Sequence, residues 1–262
     1  MAVAVPPYVE GHGLLRGRGV LITAAAGVGI GFAAARKAVE EGCAAIFISD
    51  IHERRLGEAA EKLKALSPST PVFHQLCNVT DEAQVQALVA AAEDRLGGVD
   101  VLINNAGLGG LKSVVDMTDE EWSRVLDITL TGTMRMTRAV LKAMIPRKAG
   151  AIVNNASVLG WRAQKGQSHY AAAKAGVMAF TRCSALEAAE HGIRINAVSP
   201  SIAMHDFLKK ASTEEELAQL SKVEAFGRAA EVWEVANVMM FLASDYAGYM
   251  VGEVVSVSSQ RA

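Results

Sequence analysis

The sequence predicts an α/β fold, a single-domain Rossmann-type doubly wound parallel sheet of about seven strands with helices on both faces. Three observations carry this prediction. Short β-branched runs alternate with stretches of helical period along nearly the whole chain, and the first of these runs opens into a cluster of glycines. The composition is 51% hydrophobic but only 5% aromatic, which suits small-residue helices packed closely on a sheet buried on both faces.

The elements follow in order. After a loose leader, residues 1–13, a strand is expected at 20–23, then a glycine turn and a helix over 32–41. A second strand at 44–49 ends at Asp50, and the charged amphipathic segment 53–66 stops at Ser67-Pro68. The alternation continues with a strand at 72–76, a helix at 81–95, a strand at 101–103 and one long helix from about 120 to 144, ahead of Pro146. Strands at 151–155 and 194–198 flank a helix at 170–190. A variable segment, about 199–226, reads as a substrate lid before a helix at 230–243 and a last strand at 253–257. With 262 residues and no linker or repeat, one domain over 14–262 is expected.

Charge and cysteine usage exclude several classes. The 26 basic and 28 acidic residues nearly balance, so no electrostatic footprint for nucleic acid or an anionic membrane stands out. Cys43, Cys77 and Cys183 are far apart, odd in number and without metal-ligand spacing, which points to a reducing, cytoplasmic setting with no metal. Glycines interrupt the longest uncharged run, residues 19–35, so it reads as a strand, turn and helix rather than a membrane span.

Gly27, Gly29 and Gly31 lie between a predicted strand and helix, where backbone amides approach a pyrophosphate without Cβ obstruction. A tight turn alone would explain the glycines equally well. Asp50, nineteen residues beyond Gly31 at the end of the second strand, favours the dinucleotide. Its carboxylate accepts from ribose hydroxyls and repels a 2′-phosphate, so NAD is expected, with NADP the alternative through Arg54 and Arg55.

Tyr170 and Lys174 stand one helical turn apart, where the ammonium lowers the phenol pKa, and Ser157 ends the strand upstream. In isolation such residues read as surface decoration and a helix cap. In this order, however, the chain resembles the short-chain dehydrogenase/reductase family from Leu15 to Val257. The resemblance rests on the glycine turn, Asp50, Asn104-Asn105-Ala106-Gly107, Ser157, Tyr170-Ala171-Ala172-Ala173-Lys174 and the Pro200 region. It implies hydride exchange between a nicotinamide and a secondary alcohol/ketone couple. Tyr170 is the implied acid/base, Lys174 lowers its pKa and grips the ribose, and Ser157 polarises the substrate oxygen. The implied cofactor-binding set adds Thr23, Ile30, Asn78, Val79, Asn105, Ala106, Gly107, Pro200 and Ile202. A homotetramer is implied as well.

Four places depart from the family pattern. The turn after Thr23 is one residue longer and has Ala24 for the first glycine; Asn78 stands for an Asp that contacts adenine; Thr129 stands for the Asn of the proton relay; and Ser201 follows Pro200 in place of Gly. Trp161, Arg162, Gln164 and Gln167 border Tyr170 and are the expected substrate contacts, with Lys209 and Lys210 toward phosphates. The stretches 23–31, 157–164 and 168–184 look most like actinobacterial members that act in steroid degradation on a bicyclic C/D-ring remnant carried as a CoA thioester. The alternatives are a 3-oxoacyl-carrier-protein or acetoacetyl-CoA reductase, and a nucleotide-binding regulator without turnover.

Overall fold

The computed structural model describes residues 2–205 and 213–259. Seven parallel strands form the main sheet in the order β3-β2-β1-β4-β5-β6-β9. They are β1 (Gly19–Ile22), β2 (Ala45–Asp50), β3 (Val72–Leu76), β4 (Val101–Asn104), β5 (Gly150–Asn155), β6 (Ile193–Pro200) and β9 (Val254–Val257). Two short strands, β7 (Ala203–Met204) and β8 (Ala230–Glu231), pair separately.

Every residue of β1 is buried, and successive side chains go to opposite faces. Val20 and Ile22 join a core with α1 (Ile30–Glu40), α2 (Glu53–Leu66) and α8 (Val232–Ala243). Leu21 joins the core on the other side, with α3 (Glu82–Leu96), α5 (Gly132–Arg147) and α6 (Ser168–Ala189). Burial on both faces is why these strands read as unbroken apolar runs. Strand order reverses between β1 and β4, so a crevice opens at their carboxyl ends, where ligands bind in such sheets.

Three expectations are corrected. The single long helix at 120–144 is two helices, α4 (Asp119–Leu126) and α5, joined by a π-helical turn over Asp127–Thr131. Pro146 lies inside the last turn of α5 instead of following it. Hydrophobic periodicity continues through such a bulge, so the pattern did not betray it. The helix predicted at 230–243 begins only at Val232, because Ala230–Glu231 is claimed by strand pairing.

The leader is not loose. Tyr8 donates to Glu40 at 2.5 Å and packs edge-on against Trp233, Lys37 Nζ donates to the Val9 carbonyl at 2.6 Å, and the Val3 amide donates to Phe226 O at 2.7 Å. Its contacts come from α1, from α8 and from Phe226 ahead of β8, all far away in sequence. Among the described residues, α7 (Glu214–Lys222) completes the helices, and no helix is long and apolar enough to cross a membrane.

Candidate active site

The crevice beyond β1 and β4 holds a cleft of ≈ 630 Å³ lined by Gly27, Gly29, Asp50, Asn78, Ala106 and Gly107, with Val79 beside them. The three glycines divide their tasks. Gly27 has φ +99°, a conformation that L side chains rarely adopt. Gly29 is the N-cap of α1, without a side-chain cap bond, and a Cβ there meets only open space, so the first-turn amides of α1 face the cleft. A Cβ on Gly31, by contrast, would overlap the Ala24 carbonyl oxygen and Asn105 Nδ2. Close packing of the turn on the loop after β4 therefore demands glycine at 31. Thr23 and Asn105 build this cradle from behind: Thr23 Oγ1 accepts from the Asn105 and Ala106 amides at 3.0 and 3.2 Å.

Asp50 closes the far end of the cleft. Its oxygens accept from the Ala26 and His52 amides at 3.1 Å each. Burial pushes its carboxyl above the usual range, while backbone hydrogen bonds and nearby Arg55 pull the other way. Arg54 is engaged by Glu58 at 2.6 Å. The open glycine cradle, the free amides and an aligned carboxylate fit a dinucleotide with its ribose at Asp50. Asn78 lines the cleft, with its side-chain oxygen accepting from the Thr80 amide at 3.1 Å and hydroxyl at 2.9 Å.

Ser157, Tyr170 and Lys174 stand beyond Gly107 of the cleft lining, where an added Cβ would lie 3.4 Å from Lys174 Nζ. Tyr170 is half-buried under Gly109, where an added Cβ would meet its ring at 3.6 Å. Ser157 Oγ accepts from the Leu159 amide at 3.3 Å, and its nearness to the phenol works to lower the phenol's pKa. Lys174 is fully buried and donates to the Asn155 carbonyl at 2.5 Å. Burial pulls its pKa down to about 8. Sequence reasoning expected the ammonium to lower the phenol pKa; in the structure burial raises it, and the opposing influence is Ser157. Lys174 Nζ lies 5.6 Å from the Tyr170 ring centroid while it donates to the Asn155 carbonyl.

Thr129 is fully buried in the π-helical turn. Its hydroxyl accepts from Leu108 N at 3.0 Å and donates to Leu108 O at 3.3 Å, while its own carbonyl accepts from Thr133 Oγ1 at 2.8 Å. It thus clamps the loop that carries Gly107 and Gly109. An Asn amide can make the same donor and acceptor pair, so Thr129→Asn is expected to keep turnover within about an order of magnitude. Steady-state rates of the two proteins check this; a gain of about a hundredfold would mean that the relay requires the amide.

Three of the four expected substrate residues line one groove. Trp161, Arg162 and Gln164 line a separate groove of ≈ 970 Å³ between the loops after β4 and β5, together with Leu111 and Val114. Gln167 is the α6 N-cap, and its side-chain oxygen is buried. Pro200 ends β6, and Ile202 O accepts from Ala230 N. Lys209 and Lys210 lie outside the described residues.

Asn155 escaped sequence reasoning. Its signal was a repeated doublet: Asn104-Asn105 and Asn154-Asn155 each close an apolar strand, and the register places Asn104 opposite Asn154.

The chain resembles known proteins over nearly its whole length. A family model described as enoyl-(acyl carrier protein) reductase matches residues 24–259. The chain is 61% identical over 257 residues, 98% of its length and 97% of the relative's, to a (5R,7aS)-5-hydroxy-7a-methyl-1-oxo-2,3,5,6,7,7a-hexahydro-1H-indene-carboxyl-CoA reductase of Mycobacterium tuberculosis. It is 35% identical over 243 residues, 93% of this chain and 97% of the other, to a 3-oxoacyl-(acyl-carrier-protein) reductase of Thermotoga maritima. A short chain dehydrogenase from Mycobacterium smegmatis superposes with a TM-score of 0.88 at 57% identity, covering 99% of both chains. A doubly wound sheet with a glycine-rich cleft and a Ser, Tyr and Lys group beside it belongs to a nicotinamide-dependent oxidoreductase. The chain belongs to the short-chain dehydrogenase/reductase family.

Proposed function

We propose that this enzyme interconverts a ring hydroxyl and a ring ketone on a bicyclic steroid-degradation intermediate carried as a CoA thioester, with NAD as its cofactor. The observation that carries the reading is the 61% identity, over nearly the whole of both chains, to a reductase whose name states a bicyclic carboxyl-CoA. Identity of 35% to an acyl-carrier-protein reductase keeps the short-acyl alternative as the test's other outcome.

A nicotinamide held in this cleft would supply or accept the hydride. In reduction, Tyr170 donates its proton to the carbonyl oxygen as the carbinol forms, and in oxidation it takes that proton back. Ser157 holds the same oxygen through its hydroxyl. Lys174 brings a titratable ammonium behind the phenol, anchored on Asn155. For the cofactor, Gly27 and Gly29 make room for the pyrophosphate, Gly31 lets the turn pack closely, and Asp50 takes the ribose hydroxyls. NAD is supported by the carboxylate of Asp50 and by the engagement of Arg54 with Glu58.

Of the stretch expected as a lid, Ser199 and Pro200 belong to β6, and the described residues 213–226 are held at their base by the bonds of Val3 to Phe226 and of Ser259 to Glu224. A cytoplasmic homotetramer is the assembly this reading expects, with exposed Trp122 on α4 and Leu186 on α6 favouring contact through those helices. The experiment compares kcat/KM for a bicyclic hydroxyacyl-CoA and a short 3-hydroxyacyl-CoA with NAD and NADP. The bicyclic substrate with NAD is expected to lead by about tenfold or more. Equal or better use of the short chain would refute the substrate, and equal use of NADP the cofactor.

A further inference from the structure

We propose that Asn155 is a positioning residue for the cofactor turn, acting through Asn105 on the strained Ala24 carbonyl. Its Nδ2 donates to Asn105 Oδ1 at 2.9 Å, and Asn105 Nδ2 donates in turn to the Ala24 oxygen at 3.0 Å. Ala24 has φ +50°, a left-handed conformation that glycine adopts freely and alanine resists. The same Ala24 carbonyl lies directly against Gly31, in the first turn of α1. A residue that resists its own backbone conformation is thus held by a two-step side-chain chain beginning on β5.

Two further facts set Asn155 apart. Its backbone oxygen is the acceptor for Lys174, so one residue joins the dinucleotide cradle to the reactive end. Its own Oδ1 is buried without a hydrogen-bond partner. An unpaired buried oxygen is costly, and an apolar side chain would avoid that cost. The donor function is the compensation: without it, Asn105 Oδ1 also loses its partner, the carboxamide is free to turn, and the Ala24 carbonyl is released. The turn then spends part of its time in conformations that do not present its amides to the pyrophosphate, and apparent affinity falls by that fraction.

The inference rests on the reading of the glycine turn as the dinucleotide site. Its test is NADH binding, followed by fluorescence titration, in wild type, Asn155→Ala, Ala24→Gly and the double variant, with melting temperatures measured alongside. Asn155→Ala is expected to weaken binding about tenfold. In the Ala24→Gly background the same change is expected to cost less than about threefold, because glycine holds the turn without help. Asn105→Asp provides a second route. Its carboxylate still accepts from Asn155 but no longer donates to Ala24, so the same weakening and the same rescue by Ala24→Gly are expected. If Asn155→Ala binds as wild type, or loses the same factor in both backgrounds, the inference is overturned. If Asn155→Ala does not fold, the Asn105→Asp pair decides alone: loss rescued by Ala24→Gly supports the chain, and loss without rescue overturns it. If wild type itself binds no nicotinamide dinucleotide, the reading of the turn fails instead.

Discussion

Tyr170→Phe is expected to lower turnover by about 10³-fold or more while leaving NADH affinity within about threefold of wild type. The change removes one oxygen and keeps the ring that packs beneath Gly109. The neighbouring Ser157 hydroxyl keeps its bond from the Leu159 amide. Stability should therefore stay level, and loss of rate with an unchanged melting temperature would separate chemistry from folding. Ser157 alone cannot take over, because an aliphatic hydroxyl is a far weaker acid than a phenol. Single-turnover nicotinamide fluorescence measures the effect directly. A fall of less than about tenfold would remove Tyr170 from the proton-transfer role, and unchanged activity would favour a different acid altogether.

Lys174→Met should separate stability from function in the opposite direction. Lys174 is fully buried, and loss of hydration brings its pKa down to about 8. A lysine whose folded-state pKa lies below its unfolded value binds its proton more weakly when folded. The cost to stability is therefore fully present below about pH 8, diminishes as pH rises toward the ordinary lysine value near ~10.4, and is absent above it. Methionine has similar length and carries no charge to desolvate. Lys174→Met is expected to be more stable than wild type at neutral pH, on the order of 1–3 kcal/mol, less whatever the lost bond to Asn155 contributed. The advantage should vanish near pH 10.5, the ordinary lysine value. Turnover should fall by about 10²-fold or more, since no cation then stands behind the phenol. Thermal unfolding across pH checks the first part and steady-state rates the second. A variant less stable than wild type at every pH would show that the bond to Asn155 outweighs the buried charge.

Much of the fold was legible because a sheet buried on both faces writes itself as short continuous apolar runs, and each of the seven main strands matches a predicted run to within a few residues. The order of motifs carried the site in the same way: glycines after the first strand, Asp50 at the end of the second, Ser157 after the fifth and Tyr170 with Lys174 on one helical face. The π-helical turn at Thr129 was not legible. Its cause lies in tertiary fit: Gly132 at its end sits against Val79, where a Cβ would collide, and Thr129 reaches Leu108 across the sheet edge. Nor was the docking of the leader, whose partners Glu40, Trp233 and Phe226 come from three distant segments.

The chain order of its residues thus determined which chemistry this protein carries, since helical spacing and strand ends are local and survive any packing. Tertiary structure decided how that chemistry is tuned. The Tyr170 phenol is pushed up and the Lys174 ammonium down because folding removes both from water. Lys174 is aimed at the Asn155 carbonyl because β5 ends beside the first turns of α6. Trp161, Arg162 and Gln164 share a groove with Ser168, Ala171 and Ala172 of α6 and with Leu111 and Val114 of the loop after β4. Distances between residues remote in the chain are products of packing, and no local pattern records them.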